Sequence, residues 1–319
     1  MNKLVPVTPV HSLPSVISAA GDRTAYRFLE FFTAQIRNPN TRRAYTRSVG
    51  QFCLWLDERG VRTITAVSSV HVAAYIEALS RDLSAPTVKQ HLAAIRSLFD
   101  WLARGGDLPF NPASAVRGPK HSVKTGKTPV LTPEEARTLL DSIDVSTPIG
   151  LRDRALISLM VYSFARVGAA SKMKIEDVFT QNRRLWVRLH EKGGKRHEMP
   201  CHHNLEAYLH AYIDGCGLAG DPKGPLFRTI GRRTKRLTET PLDQSGAYYM
   251  IGCRVAAAGI ATRIGNHSFR ATGITAYLKN SGTLEKAAIM ANHSSTRTTQ
   301  LYDRRRDDVT LDEIERVVI

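Results

Sequence analysis

HSFRATGITAYLKNSGTLEKAAIMANHSSTRTTQLY, residues 267–302, carries His267 and Arg270 three positions apart, then His293, then Tyr302 nine positions after that. Imidazoles and a guanidinium stabilise and relay charge around a phosphate, and a phenol becomes a nucleophile once its proton is drawn off. The segment therefore reads as phosphate chemistry with a tyrosine at its end. The chain around it has to supply a scaffold and a phosphate-bearing partner.

Charge identifies the partner class. Lys and Arg number 45 against 29 Asp and Glu, a net charge of +16, with a pI near 10.0. Such an excess favours a polyanion, because each neutralised phosphate releases counterions. An anionic membrane is the rival. The longest apolar run, Ala155 to Ala165, is too short to span a bilayer and is interrupted by Ser158 and Ser163. The N-terminal MNKLVPVTPVHSLP lacks the continuous apolar core of a signal peptide. The expectation is a cytoplasmic protein with no membrane partner. Cys53, Cys201, Cys216 and Cys253 are scattered without a CxxC pair, so neither a disulfide framework nor a zinc site is expected. Cys201-His202-His203 reads as a polar loop entering a helix rather than a metal site.

At 319 residues the chain exceeds one comfortable core. Residues 1–21, with Pro6, Pro9 and Pro14, read as a flexible arm. Residues 22–105 read as a helical domain of roughly four helices. In the first, from Ala25, Phe28, Leu29, Phe32 and Ile36 share a face. Asn38-Pro39-Asn40-Thr41 breaks that helix and caps a second, which buries Tyr45, Val49, Phe52 and Leu56 and turns Arg42, Arg43 and Arg47 elsewhere. A third runs near Val70–Leu79. A fourth, from Ser84, buries Val88, Leu92, Ile95, Phe99 and Leu102, with Lys89, Gln90, His91 and Arg96 pointing away. These polar, basic faces suit a DNA major groove, and equally a solvated surface. Residues 106–130, rich in Pro and Gly and carrying Lys120 and Lys124, read as a basic linker, either a strap along a phosphate backbone or a plain flexible connection.

The second domain, 131–319, opens at Leu131-Thr132-Pro133-Glu134-Glu135, a capping box with proline at the first helical position. An apolar helix from about Leu151 to Ala165 ends at Arg166. Leu185, Val187 and Leu189 then alternate with Trp186, Arg188 and His190, a strand. Glu191-Lys192-Gly193-Gly194-Lys195 is the turn, and Arg196–Pro200 the returning strand. Helices follow from Leu205, with Gly215 as its end, and near Asp243–Ala258.

Taken together, Arg166, a hairpin lysine, His267 with Arg270, His293 and Tyr302 resemble the tyrosine recombinases of the phage integrase family, as do EKGGKRHEMP and HSSTRTTQLY. The likeness runs from about residue 22 to the end. It implies a mainly α fold with a small β-sheet, a helical core-binding domain and a mixed α/β catalytic domain. It implies a DNA recombinase that forms a 3′-phosphotyrosyl link, conserving bond energy and needing no cofactor. Arg166 and Arg270 would clamp the phosphate, and Tyr302 would attack. His267 would act as base or orienter, and His293 as donor to a phosphate oxygen. Lys192 would protonate the 5′-oxygen, with Lys195 as the alternate.

The implied partners are double-stranded DNA bearing a recombination site, a homotetramer on synapsed DNA (monomer or weak oligomer when free) and accessory DNA-bending proteins. The protein would sit on the nucleoid when bound. Arg42, Arg43, Arg47, Lys89, Gln90, His91, Lys120, Lys124 and Lys195 are the expected DNA contacts. Departures lie at Ala169, where the family often has an acid, at Ala271, and at Met290-Ala291-Asn292-His293, where Leu-Gly-His is usual. The apolar spacing of Leu311, Ile314, Val317 and Val318 suits a tail helix docked on a neighbouring protomer or on its own domain. A type IB topoisomerase or a catalytically silent DNA-binding regulator are the alternatives. No further arm-binding domain is expected at the N-terminus.

Overall fold

The computed structural model describes residues 13–122, 126–191, 194–304, 314 and 315. Lys124 and Lys192 lie outside the described residues, as does most of the tail stripe; Ile314 is exposed. The chain is mainly helical with two small antiparallel sheets. It divides into two compact units, Met1–Ser122 and Val123–Ile319.

The first unit is built from α1 (Ser15–Ser18), α2 (Asp22–Glu30), α3 (Pro39–Asp57), α4 (Ser69–Asp82) and α5 (Ala85–Arg104). Three expectations need correction here. The arm read as flexible is packed from residue 13 on, because Val16 and Ile17 of α1 are wholly buried in the core. In α2, Leu29 is 40% exposed, whereas Phe28, Phe31 and Phe32 face inward. At about 100° per residue, Phe31 and Phe32 flank Phe28 on the helical wheel while Leu29 lies to one side; Phe31–Gln35 widens into a π turn. In α5, His91 is only 6% exposed and sits 3.2 Å from the Tyr75 hydroxyl. Its spacing from Val88, Leu92 and Ile95 places it on the apolar stripe, not on the outer face.

Caps follow the sequence. The Asn38 side chain accepts from the Asn40 and Thr41 amides at 3.0 and 3.2 Å, and Pro39 stands in the first turn. The segment expected as a loose linker is largely packed as well. Leu108, Ala113 and Val116 are buried in the first core, and Arg96 donates to the Ala113 and Val116 carbonyls. Farther on, the Gly126 amide donates to the Leu301 carbonyl at 2.9 Å, and the Leu131 amide to Thr272 Oγ1 at 3.0 Å. Proline and glycine shape the path of this segment, but its apolar residues still anchor it.

The second unit begins with α6 (Pro133–Asp141), closed by the reciprocal Thr132–Glu135 capping box. The buried α7 (Pro148–Tyr162) starts and stops three residues before the expected bounds. Thr147 caps its start. At its end the Ser163 hydroxyl bonds back to the Leu159 carbonyl at 2.5 Å, and Phe164 takes a left-handed φ of 54°. Arg166 therefore does not end a long helix; it caps the short α8 (Val167–Ala170).

Strands β1 (Val178–Gln181), β2 (Arg184–His190) and β3 (Arg196–Pro200) form one antiparallel sheet in that order. The expected hairpin is β2–β3, with Leu185, Val187 and Leu189 buried. Strand β1 joins β2 through Asn182 and Arg183, both at positive φ, the geometry of a tight two-residue turn.

Helix α9 (His203–Gly215) starts at His202, whose Nδ1 accepts from the Asn204 amide at 3.2 Å, the loop-to-helix entry expected there. Gly215 is its last residue, as expected, and Gly217 beyond it takes the left-handed conformation. A second sheet, of β4 (Arg228–Ile230) and β5 (Leu237–Pro241), adds to the single sheet expected. Then come α10 (Gln244–Ala257), α11 (Asn266–Lys279), α12 (Leu284–Met290) and α13 (Thr296–Gln300). Helix α7 runs through the core between α9 and α11. Among the described residues, no helix is long and apolar enough to cross a membrane.

Candidate active site

Three breaks in helical structure meet at Arg270. The first is the Phe164 turn after α7. The second is the end of α12, where Asn292 adopts a left-handed φ of 46°. Asparagine tolerates that conformation better than most residues, which accounts for its place where the family usually has glycine. The third is the segment after α13 that holds Tyr302. Arg270, in the first turns of α11, is 1% exposed. Its terminal nitrogens donate to the Phe164 and Ala291 carbonyls, and Nη2 lies 2.8 Å from His293 Nε2. Among the described residues its Nε is buried without a hydrogen-bond partner. Burial, then the neighbouring Arg166 charge, push its pKa down to about 10, while Tyr302 and Glu191 act in the opposite direction. It stays charged at neutral pH.

His293 follows Asn292, and its Nδ1 is 2.9 Å from the Thr299 hydroxyl. Thr299 is wholly buried, which fixes the ring. Burial, then the charges of Arg270 and Arg166, lower the His293 pKa to about 4. Because arginine can only donate, His293 Nε2 is the acceptor in this arrangement. In this arrangement the ring holds Arg270. Tyr302 is pinned through its backbone, its amide donating to the Thr299 carbonyl at 2.9 Å and its carbonyl accepting from Thr275 Oγ1 at 2.9 Å. Its ring stacks on His293, with centroids 5.9 Å apart and planes 9° from parallel. Its phenol is near enough to Arg270 to raise that residue's pKa.

Arg166 reaches in from the start of α8. Its Nη1 lies 2.7 Å from a Glu191 carboxylate oxygen. Position 169, where an acid is frequent in the family, is a buried alanine; the carboxylate comes from the hairpin instead. His267 stands exposed in the first turn of α11. Loss of hydration around its ring, then the Arg270 and Arg166 charges, hold its pKa below the ordinary imidazole value. A cavity of about 300 Å³ opens between Arg166, Glu191, Lys195, His293 and Thr298. Lys195 thus borders the same space as Arg166 and His293. His197 of β3 bonds the Met290 carbonyl at 3.1 Å, tying the sheet to the end of α12.

Arg166, His267, Arg270, His293 and Tyr302 are therefore gathered in one place, from segments up to 136 positions apart, 302 − 166. Glu191, Thr299 and His197 belong to the same construction; they lie within the EKGGKRHEMP and HSSTRTTQLY stretches, where the sequence alone assigns them no role of their own. Among the expected DNA contacts, Arg43, Arg47, Lys89, Gln90 and Lys120 are exposed. Arg42 is partly buried and bonds the Ile36 carbonyl through two nitrogens, at 3.1 and 2.9 Å, and His91 is buried. Among the described residues, no group of three or more His, Cys, Asp or Glu is arranged to hold a metal ion.

The sequence pattern of the phage integrase family matches residues 129–308, and that of the phage integrase N-terminal SAM-like domain matches residues 26–106. Tyrosine recombinase XerC of Shigella flexneri serotype 5b (strain 8401) is 25% identical over 278 residues, covering 86% of this chain and 89% of that protein. Among solved structures, XerH site-specific recombinase bound to its difH substrate superposes with a TM-score of 0.66 at 16% identity, over 97% of both chains. A lambda integrase tetramer bound to a Holliday junction gives 0.65 at 17% identity, over 90% of this chain and 78% of that one.

Proposed function

The chain belongs to the phage integrase family, a tyrosine recombinase that cleaves and rejoins DNA, and we propose that Tyr302 is its nucleophile in a site formed with Arg166, His267, Arg270 and His293. The observation that carries this assignment is the Tyr302 ring stacked on His293, with centroids 5.9 Å apart, while His293 Nε2 is bonded to the Arg270 guanidinium at 2.8 Å. A phenol with an unperturbed pKa near ~10 needs a positive field or a base to attack at neutral pH. Arg270 supplies the field. His267, neutral because its pKa is lowered, is the base or orienter.

In the reaction, the Tyr302 oxygen bonds to phosphorus as the bond to the 5′-oxygen breaks. The product is a 3′-phosphotyrosyl link and a 5′-hydroxyl, and a 5′-hydroxyl from a second strand reverses the step. The number of ester bonds is unchanged, so no nucleotide hydrolysis is required. Charge on the non-bridging oxygens is met by Arg166, which lines the cavity, and by the Arg270 guanidinium beside it. His293 holds Arg270 in place. A lysine of the β2–β3 turn protonates the leaving oxygen; Lys195 borders the cavity, and Lys192 is the other candidate.

The substrate is duplex DNA with a recombination site, engaged by Arg43, Arg47, Lys89, Gln90 and Lys120. Exchange takes place between protomers on synapsed DNA, four in number by extension from the lambda integrase tetramer, in the cytoplasm on the nucleoid. The test begins by selecting a target from a randomised duplex library through covalent capture. Two copies of that target are then placed on one plasmid. Deletion or inversion between the copies is expected. Relaxation of supercoils without exchange would point to a topoisomerase and refute the reading.

A further inference from the structure

Glu191 is a buried carboxylate facing a catalytic cation across the β2–β3 turn. Its side chain is 4% exposed, whereas that of Arg166 is 37% exposed. One carboxylate oxygen meets Arg166 Nη1 at 2.7 Å. Arg166 also lines the cavity, and a carboxylate this buried is costly without a charged partner. The backbone of the same residue closes the turn, its amide donating to the Lys195 carbonyl at 2.8 Å. One residue thus holds the turn with its main chain and the arginine with its side chain. Its negative charge also opposes the effect of the Arg166 charge on Arg270.

We propose that Glu191 is a positioning residue for strand cleavage, seating the end of the turn that carries Lys195 against Arg166 so that the Lys195 proton donor is placed at the cavity. The proposal rests on the recombinase reading of the site. Its consequence is specific to one proton. As the phosphorus bond to Tyr302 forms and the bond to the 5′-oxygen breaks, Lys195 gives its ammonium proton to that oxygen. Slackening the bond between Glu191 and Arg166 moves the donor. An alkoxide leaving group is as poor as hydroxide, whose conjugate acid has a pKa of ~15.7, and depends on that proton. A thiolate leaving group, with a pKa near ~8.5, departs without it.

The test uses the full chain and two versions of one nicked duplex selected by covalent capture with the unaltered protein. One has oxygen and the other sulfur at the 5′-bridging position of the scissile phosphate. Glu191→Gln keeps the size of the side chain and removes its charge. It is expected to form the covalent adduct at least about tenfold more slowly on the oxygen duplex, the lower end of a general-acid contribution scaled down for a misplaced group. On the sulfur duplex it is expected to match the unaltered protein within about threefold. Glu191→Asp, which retains the charge on a shorter arm, is expected to show the same contrast and covers the case in which Glu191→Gln fails to fold. Equal rates on the oxygen duplex, or an equal loss on both duplexes, would overturn the proposal. No adduct from the unaltered protein on any duplex would instead defeat the assignment of Tyr302 and this proposal with it.

Discussion

At His293 the hydrogen-bond partners determine the tautomer. Arg270 can only donate, so Nε2 accepts. Nδ1 then carries the proton and donates to Thr299 Oγ1. Nitrogen-detected NMR of the imidazole at neutral pH should show the Nδ1–H tautomer, with the ring titrating near about 4; titration near the ordinary ~6.5 would contradict the burial and charge described here. The same shift bears on stability. Between pH 6.5 and about 4 the unfolded chain binds a proton that the folded ring refuses. The stability associated with His293 is therefore complete above about 6.5 and is lost as pH falls through that window. His293 and Tyr302 are legible from their spacing, and so are Arg166 and Arg270 as members of an ordered set. Glu191 is not: it reads as a turn residue, and 25 positions from Arg166 no local rule links the two. Thr299 and the Phe164 and Ala291 carbonyls are hidden for the same reason, since only the path of the folded chain brings Thr299 to His293 and the two carbonyls to Arg270.

At the level of elements, the site depends on how closely α11 lies against α7. A Cβ at Gly273 would collide with the Val161 carbonyl oxygen and press on the Phe164 ring. Gly273→Ala is expected to destabilise the second unit by about 1–3 kcal/mol, the usual cost of overpacking, measured by chemical denaturation; an unchanged midpoint would mean the two helices have room to part. Helical period makes α3, α4 and α5 legible, and capping residues fix the starts of α3 and α6. The polarity of His91 points outward while its place on the stripe points inward, and packing follows the stripe. Strands β1, β4 and β5 are short and half-exposed, without the alternation that marks β2. The end of α7 is not legible because Ser163, Phe164 and Ala165 are compatible with a helix and only the left-handed turn reveals the break. The outer faces of α3 and α5 carry a prediction of their own. Replacing Arg43, Arg47 or Lys89 by alanine should lower the slope of log affinity against log salt by about 0.9 for each phosphate left unneutralised. Anisotropy titrations across a potassium chloride series would measure this, and an unchanged slope would remove that residue from the interface.

For the molecule as a whole, composition identifies the partner class: a net charge of +16 on a folded chain of ordinary hydrophobic content suits a polyanion. It does not reveal that residues 13–21 and much of 105–131 are packed. Proline and glycine content suggests looseness there, but the apolar Val16, Ile17, Leu108 and Val116 are buried and hold both segments down. Each unit has a core of its own, and the proposed chemistry lies wholly in the second. What joins Arg166 to Tyr302 is the folding of that unit around α7, beyond the reach of any linear motif. The most direct measurement is to incubate the protein with nicked duplex selected by covalent capture, digest the adduct with protease and locate the nucleotide-bearing residue by mass spectrometry. The expected result is a 3′-phosphate on Tyr302, a free 5′-hydroxyl on the released strand, and no adduct from Tyr302→Phe; an adduct on any other residue, or one that survives Tyr302→Phe, would contradict the assignment.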